Sequence, residues 1–379
     1  MSSDNPQIPL AQPDIGAREE ELVLEVLRSG QLSLGSMGER FEREFAVWLG
    51  VEDAVMTSSG TTALHLGVRM LGWGEGDEVI SSPFSFVASA NCLLYERARP
   101  VFVDVEEETL DLDPAAAAAA VGERTAGLLP VHIFGYPAAM SELEALAARY
   151  GLGVLEDACE ALGAIDSEGC RVGARDNLAT FAFYANKQMT TGEGGMIVPR
   201  DPDEAARLRS ERNQGRAVDM GWLDHDRLGY NYRLSDLAAA LGVAQVEKLD
   251  SLLERRAAVA RMYEQRLGGI EGLRTPIAGR GAEIRSWFVY TVRLPAGADR
   301  DATIDSLAER GIASKAYLPC IHLFPHLREL GYREGQFPVA EAAAADSLAL
   351  PFFPAMSEAQ VDRVCQELAA ALGQAPLPA

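Results

Sequence analysis

Lysine is almost missing from this chain. Of its 34 basic residues only Lys187, Lys248 and Lys315 are lysines, and the other 31 are arginines. A GC-rich genome also produces an excess of arginine and alanine, so part of the scarcity is compositional. A retained primary amine still points to work that a guanidinium cannot do. Cysteine is sparse as well. Cys92, Cys159, Cys170, Cys320 and Cys365 are odd in number, scattered and free of C-x-x-C pairs, which argues against a disulfide framework and against a zinc site. No apolar run approaches the length of a membrane span. The opening residues, Met1-Ser-Ser-Asp-Asn-Pro-Gln, lack the basic and apolar regions of a signal peptide, so a cytoplasmic protein is expected. Positive charge is short overall. With a formal net charge of −22 and a pI near 4.7, counterion release cannot drive nucleic-acid binding, and an anionic membrane would repel the chain. An anionic substrate would depend on a local positive pocket built from helix N-termini and a few arginines.

What is present is the rhythm of an α/β enzyme. At 379 residues the chain is long enough for more than one core. Short β-branched runs alternate with amphipathic stretches through the first half, the signature of βαβ units around a mostly parallel sheet. Helices are expected over Glu19–Arg28, Gly38–Leu49, Thr62–Leu71, Met140–Tyr150 and Asp203–Asn213. Strands are expected over Ala54–Thr57, Glu78–Ser81, Pro100–Val105, Gly127–Val131, Gly153–Glu156, Ala179–Phe183 and Gly195–Val198. The alanine run Ala115–Ala120 reads as an ordinary helix. A long helical stretch from Ser235 to about Leu267 leads into a smaller α+β region, with a strand over Ser286–Leu294 and helices over Asp301–Glu309 and Glu358–Leu372. The expected division is a large domain, 1–250, whose N-terminal segment packs on a small C-terminal domain, 251–379.

Four features surround Lys187, which lies between an apolar run and the glycine-rich Thr190-Thr-Gly-Glu-Gly-Gly. A desolvated lysine amine can shed its proton and condense with an aldehyde, which arginine cannot do. Thr57-Ser-Ser-Gly-Thr-Thr follows a strand and opens a helix, where backbone N–H groups and hydroxyls can hold a phosphate. Asp157, in Val154-Leu-Glu-Asp-Ala-Cys, stands at the carboxyl end of a strand, where parallel sheets bind ligands. It suits either the ring nitrogen of a pyridine or the cap of a following helix. The glycines behind Lys187 permit a tight turn and close approach of backbone to ligand. Pro83-Phe-Ser-Phe-Val-Ala-Ser-Ala-Asn offers two aromatics, Phe84 and Phe86, either of which could be core and one of which could cover a flat ring. Phosphate cradle, stacking aromatic, ring-nitrogen carboxylate and amine anchor, in this order, describe pyridoxal 5′-phosphate.

The stretches Ser58-Ser-Gly-Thr-Thr-Ala-Leu-His-Leu, Phe84-Ser-Phe-Val-Ala-Ser-Ala-Asn, Glu156-Asp-Ala-Cys-Glu-Ala-Leu-Gly-Ala, Asn186-Lys-Gln-Met-Thr-Thr-Gly-Glu-Gly-Gly and Gly229-Tyr-Asn-Tyr-Arg-Leu-Ser closely resemble the DegT/StrS-type sugar-nucleotide aminotransferases. The resemblance runs from about Ile8 to about Leu368. It implies a fold-type I aminotransferase: a large domain with a mostly parallel seven-stranded sheet, a smaller C-terminal α+β domain, and a homodimer with shared active sites. By position, Lys187 would be the Schiff-base lysine and Asp157 the partner of the pyridinium nitrogen. Ser59, Gly60 and Thr61 would hold the phosphate, Phe86 would stack on the ring, and Asn231 would reach the phosphate of the neighbouring subunit. Glu160 falls where many members carry glutamine near the ring oxygen. Ala182 falls where the family commonly has a phosphate-binding serine; Thr180, two residues earlier on the same face, is a substitute to test. In Tyr317-Leu-Pro-Cys-Ile-His-Leu, resembling the segment that closes over substrate, Tyr317 and His322 are candidates to contact the sugar. His65 and His132 read as structural, and Arg233 as an interface residue or an anion ligand.

The resemblance implies ping-pong transamination, with L-glutamate as usual donor and a keto carbon of a nucleotide-linked deoxysugar as acceptor. Asn213-Gln-Gly-Arg and Trp222-Leu-Asp-His-Asp-Arg-Leu-Gly-Tyr-Asn-Tyr look most like members that aminate C4 of a 4-keto-6-deoxyhexose, such as perosamine synthases. The alternatives are C3 amination, synthesis of an aromatic amino acid of the aminohydroxybenzoate type, and a catalytically silent cofactor-binding regulator. The family's dehydratases replace the lysine with histidine, and Lys187 argues against them.

Overall fold

The computed structural model describes residues 7–217 and 224–377. Trp222 and Leu223, within a stretch that suggested C4 amination, lie outside the described residues. Seven strands form the main sheet: β1 (Val55–Thr57), β2 (Glu78–Ser81), β3 (Arg99–Phe102), β4 (Thr125–Leu129), β5 (Gly153–Asp157), β6 (Leu178–Ala182) and β7 (Gly195–Val198). Their order is β1-β7-β6-β5-β4-β2-β3, and β7 alone runs against its neighbours. Three further strands, β8 (Tyr290–Arg293), β9 (Lys315–Ala316) and β10 (Ser347–Leu350), make a small antiparallel sheet in the order β8-β10-β9.

The register of β6 sets up the site. Phe181 and the next odd residue, Phe183, turn to one face, where both meet the ring of Phe45 edge-on at 5.3 and 5.7 Å. Phe45 belongs to the helix Ser36–Leu49. Burying each such ring stabilises the fold by roughly 1.5–3 kcal/mol, so the register cannot slip by one residue. Ala182, between them, is left to face the opposite side.

Helix ends follow their side-chain chemistry. Ser59 caps the helix Gly60–Leu71 by accepting the N–H of Thr62. Asp113, Asp201, Ser235, Asp299 and Ser357 do the same for later helices, each satisfying an N–H that the helix leaves open. Three expectations are corrected. The long stretch from Ser235 is two helices, Asp236–Glu247 and Leu249–Leu267, broken at Lys248, whose φ is −117°. The Lys248 amine turns instead to Asp14 and Glu19 at 2.7 and 2.8 Å. The strand expected over Ser286–Leu294 pairs only across Tyr290–Arg293, because Ser286 is drawn to the carbonyl of Gly135. The strand expected to reach Val105 stops at Phe102, and Val105 bridges to Leu112.

Candidate active site

A cavity of about 480 Å³ opens at the carboxyl ends of β5 and β6, beside the N-terminus of the helix Gly60–Leu71. It brings together Ser59, Gly60, Thr61, Phe86, Asp157, Glu160, Lys187 and Tyr317. Residues spread over more than half the chain thus converge on one space. Asn231 and His322 do not line it.

One wall is the helix start. The hydroxyl of Ser59 is committed to the cap, so the N–H groups of the first turn are what the wall presents, with the positive end of the helix dipole behind them. The approach is too close for a side chain at position 60: a Cβ there would lie 2.6 Å from Cβ of Ala182 and 2.9 Å from Sγ of Cys159. Gly195 is equally constrained, since its Cβ would meet the Ser59 carbonyl oxygen at 2.4 Å. Ala182 lines the cavity beside this wall. Thr180 does not replace a hydroxyl there: it is fully buried, and its Oγ1 donates to the carbonyl of Glu156 at 3.1 Å.

The opposite wall carries the lysine. Lys187 Nζ lies 3.7 Å from Oε1 of Glu160 and 4.0 Å from the ring centre of Phe288. Its carbonyl accepts a hydrogen bond at 3.0 Å from Arg256, a buried guanidinium that also donates to the Phe288 carbonyl at 3.1 Å. Arg256 therefore ties the lysine to the aromatic face beneath its amine. Glu160 is buried, which pushes its carboxyl above the ordinary value, against the opposing pull of Lys187 and of the Phe134 N–H. Gln188 fixes the same turn through the Glu160 carbonyl at 2.6 Å.

Asp157 is buried at the end of β5. Its Oδ2 accepts the hydroxyl of Ser89 at 2.7 Å and its Oδ1 the N–H of Cys159 at 3.2 Å. No helix begins there, so the carboxylate closes a turn rather than capping a helix. Ser89 sits on the helix Ala88–Tyr95. Nothing local to Ser89 marks this partner on a distant strand, and the sequence reading overlooked it. The two phenylalanines separate cleanly: Phe84 is 0% exposed and packs edge-on against Phe134, whereas Phe86 is 60% exposed and borders the cavity. A bare aromatic face, an open row of N–H groups, a buried carboxylate and an amine in one space fit a flat, phosphorylated pyridine aldehyde.

Tyr317 closes one side, its hydroxyl 3.5 Å from Nδ2 of Asn186 and its ionisation pushed up by burial. His322 is placed elsewhere. It is fully buried, edge-on to Phe337 at 4.8 Å, with Nε2 3.3 Å from Oε1 of Glu341; burial lowers its pKa. A ring packed in this way cannot reach a sugar in the cavity. His65 and His132 are structural as expected, held by Glu96 and Glu156. Asn231 is exposed, pairing through its backbone with Asn213, and Arg233 donates to the Asn213 side chain at 3.0 Å.

A seven-stranded sheet with β7 alone reversed, a capped phosphate-type helix start and a lysine at the sheet's carboxyl edge define a fold-type I aminotransferase. Residues 13–369 match the DegT/DnrJ/EryC1/StrS aminotransferase family, and the chain belongs to it. It is 38% identical over 377 residues to the GDP-perosamine synthase of Caulobacter vibrioides, covering 97% of this chain and 98% of that protein. The DesV protein of S. venezuelae, solved in complex with a ketimine intermediate, superposes with a TM-score of 0.92 at 35% identity, over 98% of this chain and 100% of that one. A 3-amino-5-hydroxybenzoic acid synthase superposes with a TM-score of 0.91 at 32% identity, over 98% and 100%.

Proposed function

We propose that this aminotransferase moves an amino group from L-glutamate to the keto carbon of a nucleotide-linked deoxysugar, at C4 of a 4-keto-6-deoxyhexose. The observation that carries the proposal is the lysine amine over Phe288, in the cavity that Asp157 and the first turn of the helix Gly60–Leu71 also line. Similarity to a GDP-perosamine synthase along nearly the whole chain supports the sugar and the position. Pyridoxal 5′-phosphate, when bound, supplies the electron sink that a carbanion next to nitrogen needs. The open N–H groups at Gly60 and Thr61 would bind its phosphate, Phe86 would cover its ring, and Glu160 would face its ring oxygen. Asp157, oriented by Ser89, would keep the ring nitrogen protonated. Lys187 would hold the aldehyde through its Nζ and, once released, would carry the donor's α-proton to the former aldehyde carbon. It would move a proton the opposite way when the acceptor is aminated. Tyr317 borders the space left for the sugar. Asn231 of the partner subunit completes the phosphate site in a homodimer.

A second acceptor class has its own support in the likeness to an aminohydroxybenzoic acid synthase. The test is acceptor consumption. Protein loaded with amine from L-glutamate should convert a nucleotide-linked 4-keto-6-deoxyhexose to the amino sugar faster than the 3-keto isomer. A faster reaction with the 3-keto isomer, or with an aromatic-amine precursor alone, overturns the C4 assignment.

A further inference from the structure

A second cavity, of about 650 Å³, lies away from the lysine, between the loop after β3 and the strand β8. Its mouth is self-neutralising: Arg274 pairs with Glu107 at 3.1 Å, and Arg280 pairs with Glu106 and Glu108. Its floor is different. Arg285, Thr291 and Arg293 line it at 5%, 6% and 9% exposure. Arg293 gives Nε and Nη2 to Asp346, but Nη1 has no partner, and neither does Oγ1 of Thr291. Arg285 is the anomaly. Its guanidinium makes no hydrogen bond and no ion pair among the described residues, and its Nε is buried without a partner. It rests against the ring faces of Tyr136 and Trp287, at 5.1 and 5.3 Å.

A guanidinium with five donors is rarely withdrawn from water without acceptors to meet it. Two π faces offset part of that cost and leave the in-plane donors free. The charge of Asp111 acts on Arg285. Its Oδ1 is taken by the Ile133 N–H at 3.0 Å, its Oδ2 is buried without a partner, and burial pushes its carboxyl above the ordinary value against the pull of Arg285. The floor therefore presents unpaired guanidinium and hydroxyl donors, while the rim is neutralised.

We propose that this cavity is a second ligand site, taking a phosphoryl oxyanion on the fork of Arg285 with Thr291 as a further donor. A guanidinium's parallel N–H pair matches two oxygens of a phosphate. The volume exceeds that of free phosphate, so a sugar phosphate is accommodated as readily. The site is separate from the lysine cavity and does not depend on which acceptor the enzyme uses.

Calorimetric titration of inorganic phosphate, and separately of glucose 6-phosphate, into protein saturated with pyridoxal phosphate tests the proposal with the active-site phosphate position already filled. Wild-type protein should show one saturable site per chain, tighter for whichever source the cavity takes. Arg285→Gln should weaken it by roughly tenfold or more, and Thr291→Val several-fold, while Arg280→Gln at the rim leaves it nearly unchanged. Equal affinity in wild type and Arg285→Gln, or no saturable binding of either ligand to wild type, overturns the assignment. If Arg285→Gln does not fold, Thr291→Val decides, and unchanged affinity there is the contrary result.

Discussion

Asp157 shows how far a single residue can be read before its neighbours are known. Its place at the end of a strand was legible; its partner Ser89, 68 positions earlier, was not, because a contact across the sheet leaves no local pattern. Phe84 and Phe86 could not be told apart by type or spacing, and only the fold exposes one of them. Arg256 was invisible for the same reason, since nothing local marks an arginine that holds the carbonyl of a distant lysine. Asp157→Asn should retain cofactor yet lose activity by ~100-fold or more, since an amide cannot hold the ring nitrogen protonated. Near-normal turnover would mean that the carboxylate serves only the turn it closes. Ala182 gives a prediction of opposite sign. It lines the cavity beside Gly60, and Thr180 is committed to the Glu156 carbonyl. Ala182→Ser should therefore tighten cofactor binding by up to about tenfold, ~1.4 kcal/mol. The rate at saturating cofactor should hardly change, because the contact is the same before and during the reaction. Titrating apoprotein with cofactor reads the effect, and weaker binding would mean that the new hydroxyl crowds the glycine.

At the scale of elements, hydrophobic period and capping residues were enough to find β2 and β7 end to end and most helices to within a residue or two. The misses have physical causes. Lys248 has good helix propensity, yet the pull of Asp14 and Glu19 on its amine outweighs the continuation of the helix. That contact ties Asp14 and the first turn of the helix Ala17–Ser29 to the junction of the helices Asp236–Glu247 and Leu249–Leu267. Burial opposes the charge on both carboxylates, but hydrogen bonds from Lys248, with Arg255 on Asp14 and Gln245 on Glu19, hold them below their ordinary values. Carboxylates depressed in this way add stability above their unfolded pKa and lose it as pH falls through the folded value. Lys248→Met should cost ~1–3 kcal/mol in urea unfolding at neutral pH. The gap to wild type should narrow as the pH falls below about 4, where both acids take up protons. A constant gap across that range would show that the lysine contributes by packing alone.

For the whole molecule, the resemblance in a few short motifs predicted a family whose model matches residues 13–369 and a fold that superposes on the DesV protein with a TM-score of 0.92. What the motifs could not supply was the path of residues that meet only in space, such as the seclusion of His322 behind Phe337. Assembly is the remaining feature of this scale. Asn231 is exposed and does not line the cavity of its own chain, and we propose that it serves the neighbouring subunit. Mixing Lys187→Ala and Asn231→Ala parents under subunit exchange tests this. If Asn231 acts across the interface, the mixed dimer gathers both lesions in one site and leaves the other intact, so activity returns towards a quarter to a half of wild type, depending on the fraction of mixed dimers. No recovery after exchange would place Asn231 in the site of its own chain.

One amine out of three is proposed to carry the chemistry, and the scarcity of lysine makes that easy to check. Lys248 is bound to Asp14 and Glu19, and Lys315 lies exposed on β9, so neither shares the cavity with Asp157. Protein saturated with pyridoxal phosphate, reduced with borohydride and digested, should carry the cofactor on the peptide containing Lys187 and on no other. Adding L-glutamate before the reductant should remove the label. Label on Lys248 or Lys315, or label on Lys187 that persists after L-glutamate, would exclude Lys187 as the catalytic amine.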